Sequence, residues 1–179
     1  MNTYHGKKVL VTGINGFVGV HLAQRLLEEG ADVHGMVRDA HHIPYLDAAG
    51  IKSHVKLHTA DVRNSAAVET LFTQHDFSHV FHFASQSNTW KSAEMPRETF
   101  ETNTMGTLNV LETIRKSKNN PSIVMGGSVR VFQYSAEPGK LSGGENLHAY
   151  DASKAMAEMI ASSFFHTYGM NGVIARNTN

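Results

Sequence analysis

The chain has 179 residues, 16 Lys plus Arg balanced by 16 Asp plus Glu, and no cysteine. That length suits one domain able to bury roughly 70% of its unfolded surface, and it leaves neither a disulfide nor a thiolate metal site available. The charge balance argues against a nucleic-acid partner, which usually needs a basic face, and no run of ~18 apolar residues is present to span a membrane.

From the N-terminus, Met1 to Lys8 is polar, with no long apolar segment behind a basic start, so no secretory signal is expected and a cytoplasmic location is. Lys8 to Thr12 reads as a buried strand, followed by a helix over about Gly16 to Glu29. Asp32 to Val37 and Val55 to His58 are the next strands, and Ser65 to Gln74 has a helical pattern. His79 to Phe83 is a strand, Thr99 to Lys116 a long helix, and Ser122 to Met125 a fifth strand. His148 to Tyr168 is a second long helix, and Gly172 to Ala175 a sixth strand. Strands alternating with helices at this spacing predict βαβ units in one doubly wound parallel sheet, an α/β fold without internal repeats or linkers.

The turn after the first strand carries Gly13, Asn15, Gly16, Phe17, Val18 and Gly19. In a dinucleotide site, glycines there allow a tight strand-to-helix turn, close approach of a pyrophosphate, and close helix–strand packing. The helix N-terminus adds free N–H groups and the positive end of its dipole. Strand before and helix after is the context that separates this motif from an ordinary packing turn. Later, Tyr150 and Lys154 stand four residues apart in a helical pattern and share a face. A free phenol has a pKa of ~10, and a neighbouring ammonium favours the phenolate, bringing the group closer to working pH.

The spacing of Gly13, Gly16 and Gly19, with Phe17, resembles the extended short-chain dehydrogenase/reductase family, of NAD-dependent epimerase/dehydratase type. Asp61 and Val62 look like that family's adenine-contacting pair, and Phe83, Ala84 and Ser85 like its fourth-strand turn. Asn103, Gly106 and Thr107 match its central-helix pattern, and Tyr150 with Lys154 its Tyr-x-x-x-Lys signature. The resemblance implies a Rossmann fold, with residues 1–179 as the NAD(P)-binding domain and Ser128, Tyr150 and Lys154 as the catalytic set. In that set Ser128 holds the substrate oxygen, Tyr150 moves its proton, and Lys154 also holds the nicotinamide ribose. The resemblance further implies a homodimer, and a C-terminal substrate lobe absent from this chain, so that cofactor binding is expected without efficient turnover of sugars.

At the end of the second strand, enzymes preferring NAD usually present an acid to the ribose 2′-hydroxyl. Here Val37 is followed by Arg38, whose guanidinium suits a 2′-phosphate, and then by Asp39, which could serve the ribose instead. NADP is expected, with NAD the alternative.

Substrate class is read from Gln86 and Ser87, with Ser92 and Pro96, which look most like nucleotide-sugar modifying members such as GDP-mannose or CDP-glucose 4,6-dehydratases and related reductases and epimerases. Asn179 matches the family's asparagine that contacts the nucleotide-sugar. Dehydratases follow the catalytic Ser/Thr with an acidic or amide pair. Here Val129 and Arg130 stand there, and Phe132 and Gln133 replace the usual Tyr and Gly. An epimerase or ketoreductase is therefore expected. The alternatives are a 4,6-dehydratase, a reductase of a non-sugar carbonyl, and a dinucleotide-binding regulator without chemistry. The many histidines, among them His41, His42, His54, His58, His79 and His82, suggest no closed metal site by spacing. Met156, Met159 and Ile160 are read as a packing stripe.

Overall fold

The computed structural model describes residues 3–134 and 148–177, so Asn179 lies outside the described residues. Six parallel strands form one sheet: β1 (Lys8–Thr12), β2 (Asp32–Val37), β3 (Lys56–Thr59), β4 (His79–His82), β5 (Ser122–Ser128) and β6 (Gly172–Asn177). Their spatial order is β3-β2-β1-β4-β5-β6, the doubly wound Rossmann order, whose ligand crevice opens beyond the carboxyl ends where the order reverses, between β1 and β4. The register is continuous through the centre, with Val9 opposite both Val33 and His79.

Helices cover both faces: α1 (Phe17–Glu28), α2 (Pro44–Ala48), α3 (Ser65–Gln74), α4 (Thr89–Glu94), α5 (Pro96–Phe100), α6 (Gly106–Lys116) and α7 (Ala149–Tyr168). Alternation of strand side chains divides the interior accordingly. One core gathers Leu10, Val80 and Ile123 with Val110, Leu111 and Ile114 of α6. The other gathers Val9, Val11 and Val33 with Val20, Ala23 and Leu26 of α1. No helix among the described residues is long and apolar enough to cross a membrane.

Several expectations need correction. The single helix over Thr99–Lys116 is instead α5, a π-helical turn at Glu101–Met105, and α6. Such turns recur at functional sites, and this one carries Asn103. Strand β5 runs on to Ser128 and β6 to Asn177, because both continue their pairing past the expected ends, Ser128 opposite Asn177. The methionine stripe on α7 does not pack as expected: Met156 and Met159 are 42% and 55% exposed. The buried face of that helix is made by Ser153, Lys154, Ala157, Glu158 and Ala161 instead.

Candidate active site

A cleft of about 1060 Å³ opens at the carboxyl ends of the strands, just above the usual ~300–1,000 Å³ of small-molecule sites. Every expected site residue that the structure describes lines it. The glycine turn from Gly13 to Gly19 forms one wall with Arg38, Asp61 and Val62, while Phe83 to Ser87, Asn103, Ser128, Tyr150 and Lys154 complete it.

At the turn, Gly13 has φ +71°, and a Cβ there would lie 2.6 Å from the backbone nitrogen of Ala84. A Cβ on Gly19 would lie 2.3 Å from the carbonyl oxygen of Gly13. Only glycine permits either approach. Helix α1 begins at Gly16 with no side-chain cap and no acidic residue in its first turn, which leaves its N–H groups for an anion. A bare cradle of this kind fits a dinucleotide pyrophosphate.

Below the turn, buried His82 joins β4 to β1 and α6. The Thr107 hydroxyl donates to the carbonyl of Asn103 at 2.6 Å, so it accepts from His82 Nε2 at 3.1 Å. His82 Nδ1 in turn takes the Thr12 hydroxyl at 2.7 Å. The imidazole is therefore neutral, in keeping with burial, which pushes its pKa down to about 3 with help from the Lys154 charge.

Asn103, expected to touch cofactor, has its amide fully engaged within the protein. Its Oδ1 accepts from the Gln86 backbone N–H at 2.7 Å and the Ser85 hydroxyl at 3.0 Å. Its Nδ2 donates to the Gln86 carbonyl at 3.0 Å and to Ser153 Oγ at 2.9 Å. With both acceptor and both donor positions used, Asn103 fastens the loop after β4, at Ser85 and Gln86, to Ser153 of α7.

Ser128 ends β5, and its Oγ accepts the backbone N–H of Arg130 at 3.2 Å. Burial raises the Tyr150 phenol above its ordinary pKa, and the nearby Ser128 hydroxyl acts in the opposite direction. The lowering by Lys154 expected from helical spacing is not what the geometry gives. Lys154 Nζ donates instead to the carbonyl of Gly126, and burial brings this amine down to about 8, with Glu158 holding it up.

Three residues that sequence reasoning missed support this set. Glu158, one turn beyond Lys154, accepts the Ser128 backbone N–H at 3.1 Å and the Arg176 guanidinium at 2.8 Å. Asp151 is 1% exposed and takes Arg130 Nε at 2.6 Å. Ser153 is the anchor of Asn103. Their positions beside Tyr150 and Lys154 were the only available signal. On the adenosine side, Arg38 is mostly exposed and lies 3.3 Å from Glu98, while Asp39 Oδ1 accepts the backbone N–H of His41 at 2.8 Å. Asp61 is bound by Arg63 at 2.7 Å. Burial pushes the Asp61 carboxyl up, but the Arg63 pairing outweighs it and holds the group below its usual range.

Residues 10–179 match the family model described as GDP-mannose 4,6 dehydratase. CDP-glucose 4,6-dehydratase of Salmonella typhimurium is 32% identical over 171 residues, covering 93% of this chain and 48% of that protein. UDP-glucuronate 4-epimerase 3 of Arabidopsis thaliana is 30% identical over 179 residues, covering 96% of this chain and 42% of that protein. The solved UDP-glucose 4-epimerase of Thermus thermophilus, in complex with NAD, superposes with a TM-score of 0.75 at 29% identity, covering 94% of this chain and 54% of that one. The chain thus spans about half the length of the relatives it matches.

Proposed function

This chain belongs to the GDP-mannose 4,6-dehydratase family, and on that premise we propose that it is the NAD(P)-binding domain of a nucleotide-sugar epimerase or ketoreductase. The observation that carries this reading is the convergence of Ser128, Tyr150 and Lys154 on one cleft whose other wall is the bare glycine turn. The nicotinamide ring, when bound, gives or takes hydride at C4. Tyr150 moves the proton: raised by burial, its phenol is a donor to a sugar carbonyl oxygen, and it takes the proton back when a hydroxyl is oxidised. Ser128 holds that oxygen, with its own Oγ fixed by Arg130 N–H. Lys154, nearly buried beside Gly126, is in place to hold the nicotinamide ribose. Gln86 and Ser87, which line the same cleft, are assigned to the substrate.

Hydride-only chemistry is favoured over dehydration by the two residues after Ser128. Val129 has no ionisable group, and the Arg130 guanidinium is engaged with Asp151; neither serves as acid or base for losing water. Dehydration remains the second reading, favoured by the name of the Salmonella relative. NADP is the proposed cofactor, with NAD the alternative. Arg38 can turn from Glu98 to a 2′-phosphate at small cost, since an exposed ion pair is worth about 0–1 kcal/mol, whereas the Asp39 carboxylate is already engaged by its own loop. A homodimer is proposed through the exposed Met105, Met156 and Met159.

The deciding experiment incubates the full-length enzyme that contains this domain with NADP or NAD and a panel of nucleotide sugars, followed by mass spectrometry and NMR of the products. A stereochemical or keto–hydroxyl change at one sugar carbon supports the proposal. A product lighter by one water overturns it in favour of the dehydratase.

A further inference from the structure

The fold brings together three histidines that are distant in sequence and take no part in the cleft. His34 lies within β2, His58 within the edge strand β3, and His75 directly after α3. Each offers one ring nitrogen, and the three atoms lie within 4.8 Å of one another. We propose that His34, His58 and His75 form a binding site for a divalent transition-metal ion of the zinc type, separate from the dinucleotide cleft and joining β2, β3 and the end of α3. Spacing along the chain gives no sign of this grouping: strand pairing sets Lys56 beside His34 and His58 beside Met36, which leaves His34 and His58 on one face of the sheet.

The ring orientations favour ligation. His34 Nδ1 lies 2.9 Å from His58 Nε2, so the two ring nitrogens face each other across a single shared proton. Two nitrogens on one zinc ion, at 2.0–2.1 Å each, are about 3.3 Å apart, so a small spreading of the two rings admits the ion in place of that proton. The other nitrogen of His34, Nε2, is buried and has no hydrogen-bond partner, but it faces Asp32 Oδ2 at 3.5 Å. A histidine that binds metal through one nitrogen commonly directs its other N–H to a carboxylate, which fixes the tautomer and strengthens the ligand. Asp32 is suited to that part, and Lys56, 2.7 Å away, balances its charge.

Exposure also suits the ion. His34 is buried while His58 and His75 are half-exposed, so the ion has an entry path, and water can take the fourth position. Three imidazoles without a thiolate match zinc, cobalt or nickel better than calcium or magnesium.

The test is titration of chelator-treated protein with Co2+, then displacement by Zn2+, in the wild type, His58→Gln and His75→Gln. One equivalent of Co2+ with the intense visible bands of a tetrahedral site is expected, together with a zinc-dependent rise in Tm of roughly 5–10 °C at a hundredfold excess over Kd. Each variant should weaken binding by about tenfold or more, with dinucleotide affinity unchanged. Absence of a tetrahedral spectrum in the wild type overturns the proposal. So does binding that is undiminished in both variants, which would assign the metal to exposed histidines such as His41 and His42.

Discussion

Glu158 accepts the backbone N–H of Ser128 at 3.1 Å, from a side chain one helical turn beyond Lys154. A carboxylate only 6% exposed thereby fixes the end of β5 relative to the helix that carries Tyr150. Its second oxygen holds Arg176 of β6, so one buried side chain links both central elements of the candidate site to the next strand.

Glu158→Gln is expected to lower kcat roughly tenfold or more while KM and cofactor Kd change little. In the proposed role Ser128 must meet the substrate oxygen within a fraction of an ångström, and such misplacement is felt in the transition state rather than in ground-state binding. Steady-state kinetics of the full-length enzyme against dinucleotide titration gives the comparison. A parallel loss of cofactor affinity would mean that Glu158 supports the fold generally instead.

Tyr150→Phe should reduce hydride transfer by at least about a hundredfold, the lower range for a positioned acid–base group, and leave dinucleotide affinity nearly unchanged. The phenol is half-buried beside Ser128 and has no part in the glycine cradle. Retained turnover in the full-length enzyme would remove it from the proposed role.

Arg38→Ala should weaken NADP by about 1.5–3 kcal/mol, the value of a hydrogen bond to a charged group, with little change for NAD. Calorimetry with both cofactors on wild type and variant measures the difference. An unchanged preference would leave Arg38 as the surface partner of Glu98.

Acid should destabilise the fold through His82. Its folded pKa of about 3 lies below the unfolded value of 6.5, so the unfolded chain binds the extra proton between these limits. The contribution is complete above pH 6.5 and is lost as pH falls toward 3. From pH 7 to pH 5 that amounts to about 2 kcal/mol from this one group. Denaturant unfolding of the wild type and of His82→Gln across this interval should show a shallower pH dependence in the variant. Equal slopes would mean that other groups govern acid sensitivity.

Much of this protein was legible in its sequence because the determining interactions are local. The turn from Gly13 to Gly19 needs glycine for backbone reasons that any strand–turn–helix imposes, and Tyr150 and Lys154 meet on one face through helical geometry alone. Alternating strand and helix patterns likewise pointed to a parallel sheet, since parallel strands require crossovers. What only the tertiary structure decided depends on groups far apart in the chain. Asn103 is spent on Gln86 and Ser153, Lys154 turns to Gly126 rather than lowering Tyr150, and Met156 and Met159 face outward. The meeting of His34, His58 and His75 belongs to the same class. Strand order, register and helix rotation set each of these contacts, and those are fixed by burying two cores at once, which no local pattern in the chain encodes.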